Sequence, residues 1–149
     1  MSNIHRLIYV SRTRLGDGEA PAAMRDILER SRRNNAALNV TGALFFNEID
    51  FAQVLEGERR NIDLTFARIQ GDSRHHALSV LFREPVSERG FPDWSMALVG
   101  TTGYGKALWR ALLAKSSNHL DRLDGAAVYA LLRGLTFEEF AGQVGAGAR

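Results

Sequence analysis

Cysteine is absent from this chain. That excludes disulfides, thiolate catalysis and cysteine-based metal sites, and also any flavin chemistry that runs through a cysteinyl adduct. The four histidines are His5, His75, His76 and His119, and none has the i, i+4 partner of a helical zinc site. No metal site is expected. No apolar run reaches the ~18 residues of a membrane span. A basic-then-apolar leader is also missing, because Met1-Ser2-Asn3 runs straight into strand-like sequence. The cytoplasm is the expected location, with no membrane partner. There is no strong charge of either sign: nineteen basic residues against seventeen acidic ones leave +2. The densest basic run, Glu29-Arg30-Ser31-Arg32-Arg33, falls where a predicted helix ends, and cations suit that pole of the helix dipole. With little aromatic sequence interleaved, a solvated helix end explains the run better than a nucleic-acid patch.

What is present is an ordinary globular composition. The 149 residues are 45% hydrophobic and 24% charged, enough for one domain with a small extension. Residues 4–11 alternate as a strand. A turn-rich loop with Gly16, Asp17 and Gly18 follows, and Pro21 suits a first helical turn. Met24, Ile27, Leu28 and Ser31 mark one helical face to about Asn34. Residues 40–46 and 51–55 read as a hairpin. A second helix carries Ile62, Phe66 and Ile69 on one face and stops at Gly71. Residues 77–85 and 94–99 read as two more strands. The order β-α-β-β-α-β with an extra strand predicts an α/β (α+β) fold of ferredoxin-like arrangement.

After Gly100-Thr101-Thr102-Gly103-Tyr104-Gly105 the chain turns Ala/Leu-rich and helical. Thr136 to Glu139 has capping-box spacing and is expected to start a short last helix, with residues 142–149 frayed. Two segments are therefore expected: residues 1–100 as the sheet domain, and 101–149 as a helical extension. The extension is too small to be a domain of its own, so it must pack on the sheet's open face, on itself or on a partner.

Within the strand Phe51-Ala52-Gln53-Val54-Leu55, alternation puts Gln53 on the face of Phe51 and Leu55. A buried amide without partners costs roughly 1–3 kcal/mol. Gln53 is thus either a solvent-facing edge residue or a core residue with a polar partner. Other residues carry similar alternatives. Tyr9 fits a sheet edge, and its phenol is also oxidisable. Asn34 and Asn35 suit helix termination, but two adjacent amides also suit a planar heterocycle. Ile27 and Ile69 suit an ordinary core as well as the two walls of a ring pocket. Arg68, Asp72, Arg74 and His75 suit a solvated helix end as well as a polar ligand. Trp94 and Met96 share a face by period two and suit the sheet core.

In order along the chain, Tyr9, Asn34-Asn35, Thr41-Gly42, Gln53-Val54-Leu55-Glu56-Gly57, Arg74-His75 and Trp94-Ser95-Met96 resemble the BLUF family, sensors of blue light using FAD. The resemblance covers roughly residues 4–100. It implies noncovalent FAD between the two main helices, with Ile27 and Ile69 sandwiching the ring. It implies Asn35 on the flavin ring carbonyl, Asn34 against the cofactor, Asp72 at a polar edge of the ring, and Arg68, Arg74 and His75 toward the ribityl and phosphate end. Tyr9 would donate an electron and then a proton to the excited flavin. Gln53, donor and acceptor at once, would be the hydrogen-bond switch. Trp94 and Met96 would exchange places to pass the signal on, and the 100–105 hinge would relay it to the C-terminal helices.

The resemblance is to the short stand-alone type. That implies a photoreceptor and not an enzyme, a homodimer or larger homo-oligomer, and a separate partner of the cyclic-nucleotide-enzyme or response-regulator class. Residues 101–149 look like neither a cyclase nor a phosphodiesterase. Two other readings compete: a flavoenzyme with a reactive flavin, which would need a nicotinamide or thiol route not evident in the sequence, and a flavin-free ferredoxin-like interaction module. His76, Trp109 and His119 carry no functional assignment.

Overall fold

A computed structural model describes residues 3–16 and 18–140. Five strands form one sheet: β1 (Ile4–Thr13), β2 (Thr41–Phe46), β3 (Asp50–Glu58), β4 (His75–Pro85) and β5 (Ala97–Val99). Their order is β4-β1-β3-β2-β5. All neighbours are antiparallel except β2 and β5, which run parallel. This is the expected ferredoxin-like sheet with one added edge strand. Helices α1 (Ala20–Ala37) and α2 (Arg59–Gln70) cover one face. Helices α3 (Gly103–Ala114) and α4 (Gly125–Phe140), with a 3₁₀ turn at Leu120–Arg122, cover the other.

Strand alternation sorts the side chains between these two layers. Leu7, Tyr9, Leu44, Phe46, Phe51 and Leu55 pack with Met24, Ile62 and Phe66 of α1 and α2. Ile8, Val10, Ala43, Phe45, Ala52 and Val54 pack with Trp109, Val128, Leu132 and Leu135 of α3 and α4. The central strands are therefore buried on both faces, which explains why they read as nearly continuous hydrophobic runs. Trp109, with no assignment from the sequence, is a core anchor. It stacks on Phe45 with ring centroids 4.5 Å apart and donates Nε1–H to Asp50 Oδ2 at 2.9 Å.

Several boundaries differ from expectation. Helix α1 continues past Asn34 to Ala37, and the left-handed residue after it is Asn39 at φ 53°. Asn34 and Asn35 therefore do not terminate the helix. Strand β3 runs through Gly57 to Glu58, and α2 starts only at Arg59. The last strand is shorter than its sequence suggests, because residues 94–96 turn before β5 begins at Ala97. Thr136 starts no new helix. It lies inside α4, its hydroxyl donating to the Leu132 carbonyl at 2.8 Å. The back-bond satisfies the hydroxyl within the helix, so capping-box spacing alone did not mark a terminus. Only residues 100–102 link β5 to α3, because Thr102 already caps that helix by accepting from Gly105 N at 3.0 Å. The expected frayed segment, residues 142–149, lies outside the described residues.

Candidate functional site

A cleft opens between α1 and α2 above the central strands, with a volume of about 260 Å³. Its floor comes from β1 and β3, where Tyr9 and Gln53 are directly paired across the antiparallel ladder. The Tyr9 hydroxyl donates to Gln53 Oε1 at 2.6 Å. That bond leaves the Gln53 amide nitrogen pointing the other way, toward Met96 Sδ at 3.3 Å. Both residues are buried. The Gln53 amide thus has a strong acceptor contact on one side and a soft, weak one on the other. Burial pushes the Tyr9 phenol well above its ordinary range, and the Asp72 carboxylate adds to that shift. The phenol stays protonated, as a donor to Oε1 requires.

The helices supply the walls. Ile27 of α1 and Ile69 of α2 line the cleft, with Leu44 and Phe51 from the sheet. Asn34 and Asn35 line it from the last turns of α1. Asn35 also donates Nδ2–H to the Ser95 carbonyl at 2.8 Å, tying the cleft to the segment before β5. Arg30 and Arg68 stand on opposite helices, both exposed. At one end Arg74 bridges two carboxylates, Asp72 at 2.6 Å and Asp26 on α1 at 2.8 Å. Hydrogen bonding to Arg74 holds both carboxyls below their ordinary range, and Asp72 in turn raises Arg74. His75 Nε2 meets the Ile69 carbonyl at 2.7 Å and Nδ1 meets Ser11 Oγ at 2.7 Å. A carbonyl only accepts, so Nε2 carries the proton.

Tyr9, Ile27, Asn34, Asn35, Gln53, Arg68, Ile69, Asp72, Arg74 and His75 all line this one cleft. Trp94 does not accompany Met96. Met96 packs with the α1/α2 layer, whereas Trp94 packs with the α3/α4 layer. The shared-face expectation fails because residues 94–96 are not a pleated strand. Their three carbonyls are each taken by a different partner: Gly42 N for Trp94 (3.0 Å), Asn35 for Ser95, and Arg32 Nε for Met96 (3.0 Å). Gly42 also lets β2 approach β3, since a Cβ there would lie 1.8 Å from the Val54 carbonyl oxygen.

The BLUF family model, described as sensors of blue-light using FAD, matches residues 4–97. The chain belongs to the BLUF family. Among solved structures, this BLUF chain is similar to "BlrB - a BLUF protein, dark state structure", at 31% identity and TM-score 0.73, covering 90% of this chain and 98% of that one. It is similar to "BlsA photo-activated state" at 27% identity and TM-score 0.74, over 89% and 94% of the two chains. Coverage of that extent takes in helices beyond the matched BLUF segment. Among curated proteins it is similar to the photoactivated adenylate cyclase subunit beta of Euglena longa, at 30% identity over 95 residues. That match takes in 64% of this chain and spans 11% of the relative's length.

Sequence reasoning missed Arg32, which donates Nε–H to the Met96 backbone carbonyl. It also missed Asp26, Ser31 and Thr65 around the cleft. Their helical spacing placed them near the right face, but no local pattern distinguishes such a residue from a solvated one.

Proposed function

We propose that this chain is a blue-light photoreceptor that holds FAD noncovalently in the α1/α2 cleft and signals by a hydrogen-bond switch at Gln53. The observation that carries this reading is the chain of contacts Tyr9 Oη to Gln53 Oε1 and Gln53 Nε2 to Met96 Sδ at the cleft floor. The residues fit the cofactor: apolar walls at Ile27 and Ile69, amides at Asn34 and Asn35, and cations at the rim in Arg30 and Arg68. When bound, FAD would supply the blue-light absorption and an excited state that accepts an electron and a proton.

Everything else falls to the protein. Tyr9 holds a proton in a buried bond and is the group placed to give it up and take it back. Gln53 is the one side chain between Tyr9 and Met96, and its amide presents a donor and an acceptor in either orientation. Inverting or tautomerising that amide breaks one contact and makes another, a change of about 1–2 kcal/mol that suits a two-state switch. Met96 responds directly, because its Sδ touches the amide. Ser95 and Met96 are held to α1 by Asn35 and Arg32, so movement there reaches both α1 and β5. Arg68, Arg74 and His75 would lie toward the ribityl and phosphate end, with Asp72 at a polar edge of the ring. Trp94 lies on the output side, packed with α3 and α4.

The proposed output is conformational and not catalytic: residues 101–149 act on a separate partner of the cyclic-nucleotide or response-regulator class, from a homo-oligomeric protein. An absorption spectrum before and after blue light tests the reading. A yellow protein with a small, reversible red shift is expected. A protein that stays colourless after refolding with FAD would leave a flavin-free interaction module. Flavin bleaching by NADPH under turnover would point to a flavoenzyme.

A further inference from the structure

The α3/α4 side of the sheet has its own buried polar cluster, three residues along β3 from Gln53. Glu56 points to the face opposite Gln53 and is fully buried. Its carboxylate accepts from Arg6 Nε at 2.7 Å and from the backbone N–H groups of Gly90 and Phe91 at 2.9 Å. Arg6 in turn lies on the ring of Tyr129 from α4, 4.1 Å from its centroid, and Arg6 Nη2 reaches the Tyr129 hydroxyl at 3.3 Å. Tyr129 also meets Phe91 edge-on. Gly90 lies under the hydroxyl end of Tyr129, so a Cβ there would force the Tyr129 ring end to shift.

Residues 90–96 are thus gripped twice by β3, from opposite faces. Gln53 holds the Met96 end on the cleft side, and Glu56 holds Gly90 and Phe91 on the α4 side. A segment pinned at both ends transmits displacement instead of absorbing it. The direct linker of residues 100–102 is the shorter covalent route to α3; α4 packs on the sheet through Val128, Leu132 and Leu135, and Tyr129 adds its contact to the Arg6–Glu56 pair.

We propose that Tyr129 is a positioning residue that couples α4 to the Gln53–Met96 contact, acting through Arg6 and Glu56 on the segment that ends in Met96. The light-response part of this inference rests on the photoreceptor reading. The mechanical part does not.

The test uses the full chain loaded with FAD, comparing wild type, Tyr129→Leu and Tyr129→Phe. Hydrogen exchange is followed at Gly90, Phe91 and the α4 amides, in the dark and under blue light, together with the flavin absorption shift. In Tyr129→Leu, exchange at Gly90 and Phe91 in the dark should become about tenfold faster, the scale of one lost ring–cation contact. The absorption shift should persist while the light-driven change in α4 exchange disappears. Tyr129→Phe keeps the ring over Arg6 and should stay within about threefold of wild type.

Unchanged exchange at Gly90 and Phe91 in Tyr129→Leu would overturn the coupling. So would an α4 that responds to light normally in that variant, or one that never responds in a wild type showing the absorption shift. If Tyr129→Leu does not fold, Arg6→Lys takes its place, keeping the charge beside Glu56 and removing the planar group from the Tyr129 ring. A wild type with no absorption shift sinks the photoreceptor reading alone, and dark exchange at Gly90 and Phe91 still decides the coupling.

Discussion

Tyr9 and Gln53 sit at paired positions of adjacent antiparallel strands, and the phenol donates to the amide oxygen at 2.6 Å. This register brings the two side chains together on the α1/α2 face of the sheet without any loop to position them. Gln53→Leu should therefore bind FAD and lose the light-induced red shift, read in a light-minus-dark difference spectrum. Tyr9→Phe should bind FAD and lose the normal photocycle. A full shift in Gln53→Leu would remove the amide from the mechanism, and normal cycling in Tyr9→Phe would remove the phenol.

Arg32 holds the Met96 carbonyl from a half-buried position on α1. On the proposed switch, recovery in the dark would return the Gln53 amide to a Met96 held in place. Arg32→Ala should leave flavin binding and the size of the absorption shift nearly unchanged while slowing dark recovery by up to about fivefold, the worth of one hydrogen bond. Time-resolved absorption after a light pulse checks it. An unchanged recovery time would limit Arg32 to a surface role.

The bridge from Asp26 through Arg74 to Asp72 gives a pH dependence of definite sign. Both carboxyls are held below their ordinary range in the folded state. Their contribution is then fully present above the unfolded carboxyl pKa of about 3.9 and is lost as pH falls through the depressed folded values. Melting temperature followed downward from neutral pH should fall more steeply below about pH 4 in wild type than in Arg74→Ala. Parallel curves for the two proteins would show that the bridge contributes nothing to folding.

Glu56 is a buried carboxylate with a partly exposed partner, Arg6. Glu56→Ala leaves Arg6 and two backbone N–H groups without their acceptor, and breaking a buried pair from one side costs about 3–5 kcal/mol. Urea unfolding should show a loss of that order, and Glu56→Gln should lose less because its amide oxygen still accepts. Equal losses would mean that the charge itself decides the stability.

The helix-and-strand order was legible because both periods are clean. Ile62, Phe66 and Ile69 repeat at helical spacing, and Phe51, Gln53 and Leu55 alternate as a strand must. Where local pattern misled, a long-range hydrogen bond had intervened. Residues 94–96 alternate like a strand, yet Gly42, Asn35 and Arg32 draw their carbonyls elsewhere. Thr136 has the spacing of a cap, but its hydroxyl is satisfied within α4. Arg32 and Tyr129 gave no signal, because an arginine or tyrosine on a helix looks the same from sequence whether or not its head finds a distant partner.

By itself the sequence determined the element order, the apolar faces and the presence of a polar residue on an apolar strand, since these follow from spacing along one chain. Only the tertiary structure decided what that residue meets. The partners of Gln53 come from β1 and from the segment before β5, 44 and 43 residues away. Contacts at such distance depend on strand register and on how seven neighbouring residues cross the sheet edge, and neither is written in any local window.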